Sequence, residues 1–386
     1  MHIALISAYP PSRGSLNEYG YHLTQTFRRK PEVTRLTVLA DRIDSPAEPD
    51  PFYVRRVWHF NDPRNAALIL KELRRLKPDV VLFNLQFASF GDGRVPAALG
   101  LITPMLARRS GFPTITLLHN LFETVDLEKA GFGGNKLLDA ATRAAGQVFT
   151  RALLQSDLLA VTLPRYVEIL RTQYGATNVF LAPHGSFEVP EEPVELPEIP
   201  TVMAFGKFGT YKRVEELIEA HRVLLQREPR LRLVIAGSDS PNAKGYLQSM
   251  SEHYRDIPNI TYTGYVAEED VPVIFRDSTV VAFPYNSTTG SSGVLHQAGQ
   301  YARASVMPNI GDLRDLIEEE GYCAEYFEVG NATSLAEALW RVLGNPQYAW
   351  ELGLANHRAA AGLTLDEVTN SYMRHFESLL ATQKKP

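Results

Sequence analysis

The 386-residue chain has a single cysteine, Cys323, so no intramolecular disulfide framework can staple it, and a reducing compartment suits it. Long apolar runs are missing too. The longest uncharged one, Val95 to Ala107, has 13 residues and two prolines, too short to span a bilayer. No cationic segment precedes the first apolar run, Met1-His2-Ile3-Ala4-Leu5-Ile6-Ser7, which reads as a strand rather than a secretory leader. Metal-ligand spacings are absent: no two aspartates flank a single residue, and there is neither an H-x-x-x-H pair nor a C-x-x-C. The G-x-S-x-G nucleophile elbow is missing as well, since Gly290-Ser291-Ser292-Gly293 is one residue short. The net charge is only −5, so nothing global argues for nucleic acid. These absences lead us to expect a soluble, cytoplasmic protein with no metal cofactor.

Apolar residues make up 45% and charged residues 22%, enough to bury real cores in two or three domains. Charge is uneven. Residues 1–185 hold 22 Lys/Arg against 16 Asp/Glu (+6), leaving 17 against 28 (−11) in the rest. Such a split suggests two bodies with different partners, though an imbalance across solvated faces gives the same numbers.

Short apolar runs alternate with helical periodicities, the pattern of βα units and parallel sheets. Strands are expected at Ile3–Ser7, Leu36–Ala40, Val80–Asn84, Thr114–His119 and Leu158–Val161, with helices at Leu16–Arg29, Arg64–Leu76, Thr103–Ser110 and Lys136–Gln155. The run Glu188–Pro200, with four prolines and five glutamates, holds no period and reads as a linker. Beyond it the alternation restarts with strand Thr201–Phe205 and helix Val214–Arg227, then strand Leu231–Ala236 and helix Lys244–Tyr254. Strand Ile260–Thr263, helix Val271–Phe275, strand Val280–Pro284, helix Gly293–Arg303, a short strand near Ser305–Pro308 and helix Ser334–Leu343 complete it. Ser334 with Glu337, and Thr364 with Glu367, read as capping boxes. A last helix from about Leu365 repeats Val368, Tyr372, Phe376 and Leu379/Leu380, a stripe that must be buried. The domain plan is therefore 1–187, a linker at 188–200, 201–364, and a terminal helix at 365–386.

Ligands of open parallel sheets bind beyond the carboxyl ends of strands, where four segments here draw attention. The loop Tyr9–Ser15 carries Arg13 and Gly14 into a helix start and presents amides to an anion, without G-x-G-x-x-G spacing. His119-Asn120 follows one strand. Gly206-Lys207 to Lys212-Arg213 sets two cations five apart across a glycine turn, able to converge on a phosphate. Tyr285 to Gly293 is nearly all small and hydroxylic, suited to gripping phosphate oxygens at a helix start, and is no Walker A loop. Each is matched by a plain reading as an ordinary loop or a structural histidine.

Taken together, MAFGKFGTYKRVEELIEAHRVL, LRLVIAGSDS and ITYTGYVAEEDVPVIFRDSTVVAFPY resemble the signature segments of the GT-B glycosyltransferases, most closely glycosyltransferase family 4. That resemblance implies an α/β fold of two Rossmann-like domains facing across a cleft, with the C-terminal helix crossing back to the N-terminal domain. It implies a retaining transfer of a hexose from a nucleotide-diphosphate sugar to a hydroxyl acceptor, without metal. Lys207 and Lys212, with His119 beside the transferred sugar, would be the catalytic set. Gly14, Gly206, Gly237, Ser238, Tyr265, Val266, Thr289, Gly290, Ser291, Ser292, Gly293 and Gln297 would bind the donor. The chain departs from the family at Thr289 and Gln297, where many members carry glutamates. Acceptor-side residues are expected among Arg13, Asn17, Glu18, Asn84, Gln86, Glu123 and Asp126, with the acceptor a glycan, glycolipid or polyprenyl-linked saccharide. The +6 half suits an anionic acceptor and peripheral contact with the inner membrane surface. A non-catalytic nucleotide-sugar-binding subunit and a nucleotide-sugar epimerase are the alternatives.

Overall fold

The computed structural model describes the chain apart from residues 13, 44–48, 125–135, 241, 288–289 and 384–386. It divides into two compact units. The first carries Met1–Thr124, Leu137–His184 and the terminal helix, and the second carries Gly185–Thr364.

In the first unit β1 (His2–Ile6), α1 (Asn17–Arg28), β2 (Arg35–Asp41), β3 (Val54–Trp58), α2 (Asn65–Leu76) and β4 (Val80–Leu85) come first. They are followed by α3 (Arg94–Leu101), α4 (Thr103–Arg109), β5 (Thr114–Leu118), α5 (Lys136–Leu153), β6 (Leu158–Val161), α6 (Pro164–Tyr174) and β7 (Val179–Leu181). The strands form one parallel sheet in the order β3-β2-β1-β4-β5-β6-β7. Ile3, Leu5, Val38, Leu82 and Leu117 are fully buried, as continuous apolar runs covered by helices on both faces must be.

The second unit contains β8 (Thr201–Phe208), α7 (Glu215–Leu224), β9 (Arg232–Asp239), α8 (Tyr246–His253), β10 (Ile260–Gly264), α9 (Val271–Arg276) and β11 (Val280–Ala282). Then come α10 (Gly293–Gln300), β12 (Ala304–Pro308), α11 (Gly311–Glu320), β13 (Glu325–Phe327), α12 (Ala332–Leu343) and α13 (Pro346–Gly362). Its parallel sheet runs β10-β9-β8-β11-β12-β13. In both sheets the order reverses once, between β1 and β4 and between β8 and β11. A reversal of this kind splays the following loops apart and opens a crevice at the strand ends.

The last helix, α14 (Leu365–Gln383), belongs to the first unit. It packs on α1 through Phe27, Tyr372 and Phe376, and Lys30 reaches Asp366 at 2.8 Å. That burial accounts for the apolar stripe expected to need a partner. The chain passes between units at His184–Gly185, a few residues before the proline–glutamate run. The run itself is held on the second unit: buried Arg303 donates to the carbonyls of Val194 and Glu195.

Several elements differ from the sequence expectation. Strands β3, β7 and β13 and helices α3, α6, α11 and α13 were not anticipated, and the reason is local. β7 and β13 span three residues each, and β3 reads VRRVW with two arginines inside. Helix α12 begins earlier than Ser334 because Asn331 is its cap, accepting from the Ser334 amide at 2.9 Å. Among the described residues no helix is long and apolar enough to cross a membrane.

Candidate functional site

The reversal between β8 and β11 puts two of the expected segments side by side in the second unit. β8 and β9 run further than their apolar cores suggest, so Gly206, Lys207, Gly237 and Ser238 lie in strands rather than in a turn. Gly206 pairs with Gly237, and Lys207 with Ser238. Both glycines have positive φ, 133° and 137°. A Cβ on Gly237 would sit 1.9 Å from the Gly206 carbonyl oxygen, and one on Gly206 would sit 2.7 Å from the Lys212 ammonium. Only glycine lets these backbones and this cation crowd together.

The turn after β8 closes through the Gly209 amide on the Lys212 carbonyl at 2.9 Å. It is then zipped to the segment after β11. The Arg213 amide donates to Pro284 O and the Asn286 amide to Tyr211 O, both at 2.9 Å, and Lys212 bridges Tyr285. Lys212 is buried, its Nζ 4.6 Å from the Tyr285 ring centre, 5.9 Å from that of Tyr211 and 3.5 Å from Phe205 O. Among the described residues no carboxylate forms an ion pair with it. Burial pushes its pKa below the usual lysine range, with the Tyr211 hydroxyl pulling weakly the other way. Lys207 is exposed at the strand end. Its pKa is lowered first by desolvation and then by repulsion from Lys212, so the two charges feel one another.

Beyond Tyr285 the chain reaches Gly290, whose φ is 81°, and enters α10 at Gly293 with extended Ser292 as the flanking residue. No side chain caps that helix start, and uncapped amides at a helix N-terminus are the groups that receive anions. Gln297 lies on α10 and is buried. Thr289 falls outside the described residues. Tyr265 and Val266 follow β10, Tyr265 exposed and Val266 half-buried, and the Gly237 amide donates to Thr263 Oγ1 at 3.1 Å.

In the first unit His119 follows β5 and is buried against the edge of the Tyr19 ring, 4.7 Å away between centres. Its Nε2 meets Asn84 Oδ1 at 2.7 Å, while the Asn84 amide donates to Ser7 Oγ at 2.9 Å. That polarity fixes the proton on Nε2. Desolvation, then the neighbouring His184, drives the imidazole pKa well below 6.5, so the ring is neutral. Asn84 therefore corrects an expectation: fully buried, it orients His119 and cannot meet an acceptor.

Gly14 is a second correction. Its amide is not presented outward but donates to Ser12 Oγ at 3.0 Å, and Ser12 donates in turn to Asp41. Asp41 also accepts from the Tyr9 amide at 3.1 Å, and Arg56 binds the Tyr9 and Pro10 carbonyls. Asn17 is spent on Ser12 O at 2.8 Å. Glu123 accepts from Tyr174 and from Thr150, and Gln86 is half-buried with its backbone N–H donating to Ser89 Oγ. Glu18 is half-buried on α1. Arg13 and Asp126 lie outside the described residues. Sequence reasoning missed the Asp41–Arg56 brace and the tyrosine faces over Lys212. The brace and the Tyr285 face over Lys212 join residues far apart in sequence, with no local signal to find them.

Two parallel-sheet units of this topology define the GT-B architecture of the glycosyltransferases. Residues 199–345, which lie within the second unit, match the family model of glycosyl transferases group 1. Over its whole length the chain is similar to a sucrose-phosphate synthase from Thermosynechococcus elongatus, with a TM-score of 0.75 at 16% identity, covering 99% of this chain and 100% of that one. It is also similar to Alr3699/HepE of Anabaena in complex with UDP-glucose, with a TM-score of 0.68 at 14% identity, covering 98% and 100%. In sequence, 139 residues are 27% identical to a mannosylfructose-phosphate synthase of Agrobacterium fabrum. That match spans 31% of each chain, about a third of the relative's length.

Proposed function

We propose that the chain is a retaining, metal-independent glycosyltransferase that moves a hexose from a nucleotide-diphosphate sugar to a hydroxyl acceptor. The observation that carries this reading is Lys212, a buried ammonium with two aromatic faces and a carbonyl around it and, among the described residues, no carboxylate. Burying a cation without a counter-ion is costly unless a ligand supplies one. A diphosphate does so, and Lys207 and the α10 amides add donors around the same anion. The group 1 family match and the UDP-glucose held by the Anabaena neighbour support a nucleotide-sugar as that ligand.

Charge builds on the β-phosphate as the glycosidic bond breaks, and Lys207 and Lys212 stabilise it. The departing phosphate oxygen takes the acceptor hydroxyl's proton on the face it leaves, so configuration is retained with no carboxylate nucleophile. One such contact is worth on the order of 3 kcal/mol of barrier, roughly a hundredfold in rate. The acceptor, a glycan, glycolipid or polyprenyl-linked saccharide, is assigned to the first unit. There His119, protonated on Nε2, offers Nδ1 to a sugar hydroxyl. Cytoplasmic residence, with contact to an anionic membrane surface, fits the +6 charge of residues 1–185.

The test is to incubate the protein with UDP-, GDP- and ADP-sugars, with and without EDTA, and to measure nucleotide release. Slow release that survives EDTA is expected, and Lys207→Ala and Lys212→Ala should each cut it about a hundredfold. Unchanged rates in both variants contradict the reading. An isomerised sugar identifies an epimerase, and tight binding without turnover a binding subunit.

A further inference from the structure

Behind the donor loop lies a buried polar cluster that the transfer chemistry does not use. His296, on α10, is 2% exposed, and its two ring nitrogens are both engaged. Nδ1 lies 2.9 Å from the Tyr322 hydroxyl, and Nε2 lies 3.1 Å from Ser291 Oγ, in the loop just before the helix. Glu320, the last residue of α11, brings a carboxyl oxygen to 3.5 Å from the same Nε2. Its side chain is 8% exposed, and that oxygen has no hydrogen-bond partner among the described residues. A carboxyl thus reaches the loop from a neighbouring helix in a chain that lacks glutamates at positions 289 and 297.

We propose that Glu320 is a positioning residue for the donor loop, controlling through His296 whether Ser291 is held in place at the start of α10. The proposal rests on the transferase reading above. Tyr322 keeps its proton, because burial raises its pKa, and donates it to Nδ1. The ring proton then sits on Nε2 and is given to Ser291 Oγ, the nearer acceptor. A neutral Glu320 leaves this bond alone. An ionised one competes for the Nε2 proton, since 3.5 Å closes to a charge-assisted hydrogen bond with a shift of about 0.7 Å. Burial first, then the like charge of Glu319, pushes the Glu320 carboxyl up to about 8. The groups facing it are His296 from α10, Tyr322 from the turn after α11 and Glu319 from its own helix. Raising the pH therefore withdraws the imidazole from Ser291 and loosens the amides that receive the donor.

The decisive experiment compares the donor KM and kcat of the wild type and Glu320→Gln between pH 6.5 and 9.5. The KM ratio of wild type to variant should be near one at the acid end and rise to about tenfold at the alkaline end, one hydrogen bond's worth, with kcat within about twofold. Loss of protons from the lysines affects both proteins and drops out of the ratio. In a Ser291→Ala background the ratio should stay near one throughout. A flat ratio for folded proteins, or the same rise without the serine hydroxyl, overturns the proposal. Should the variant not fold, the His296 ring resonances of the wild type, assigned by their loss in His296→Asn, should shift with an apparent pKa near 8; no shift there overturns it as well. A wild type that releases nucleotide from no donor removes the transferase reading and the donor role with it. The ring titration distinguishes that outcome from failure of the relay.

Discussion

Lys212 is held where a cation is unfavourable, among two tyrosine rings and a backbone carbonyl, and this sets up a trade between stability and function. Its depressed folded pKa means that below that pKa both folded and unfolded states are charged and the full burial penalty applies. As pH rises from the folded value toward the unfolded 10.5, the unfolded chain binds more protons and the penalty is relieved. Lys212→Met should accordingly melt at a higher temperature than wild type near neutral pH, with the gain shrinking toward pH 10.5, while donor turnover is lost. Thermal melts across that range check it; a variant less stable than wild type at neutral pH contradicts it. Gly237 illustrates a constraint of another kind, since its missing Cβ is what admits the Gly206 carbonyl.

Among the elements, the apolar runs revealed the central strands β1, β2, β4, β5, β6, β8, β9, β11 and β12, because parallel strands buried on both faces leave no alternation to confuse, and the edge strand β10 was legible too. The short or charged edge strands β3, β7 and β13 carried no such signal, and neither did α11, which ends in three glutamates. The lysine turn and the hydroxyl-rich loop were legible as loops at strand ends. Their contact was not, because it depends on β8 and β11 being neighbours in the sheet. Glu320 was invisible for the same reason. The terminal helix was readable from its stripe, and its packing gives a direct expectation. Phe376 is fully buried, with its ring 5.9 Å from Phe27, so Phe376→Ala should cost roughly 3–5 kcal/mol. Denaturant unfolding measures this, and a loss below about 1 kcal/mol would show that α14 is not part of the first unit's core.

At the scale of the molecule, both sheets reverse their strand order once, and in the second unit the reversal falls between the strands that feed the lysine turn and the hydroxyl loop. On the proposed reading, the glycine pair, the buried Lys212 ammonium and the start of α10 are parts of one anion site rather than three coincidences. The most direct measurement is the structure of the protein with an intact nucleotide-sugar. Both phosphates should lie within hydrogen-bonding reach of the Lys207 and Lys212 ammonium groups and of the amides from Ser291 to Gly293. A diphosphate bound elsewhere on the second unit, or neutralised by a divalent ion with both lysines turned away, would contradict the account.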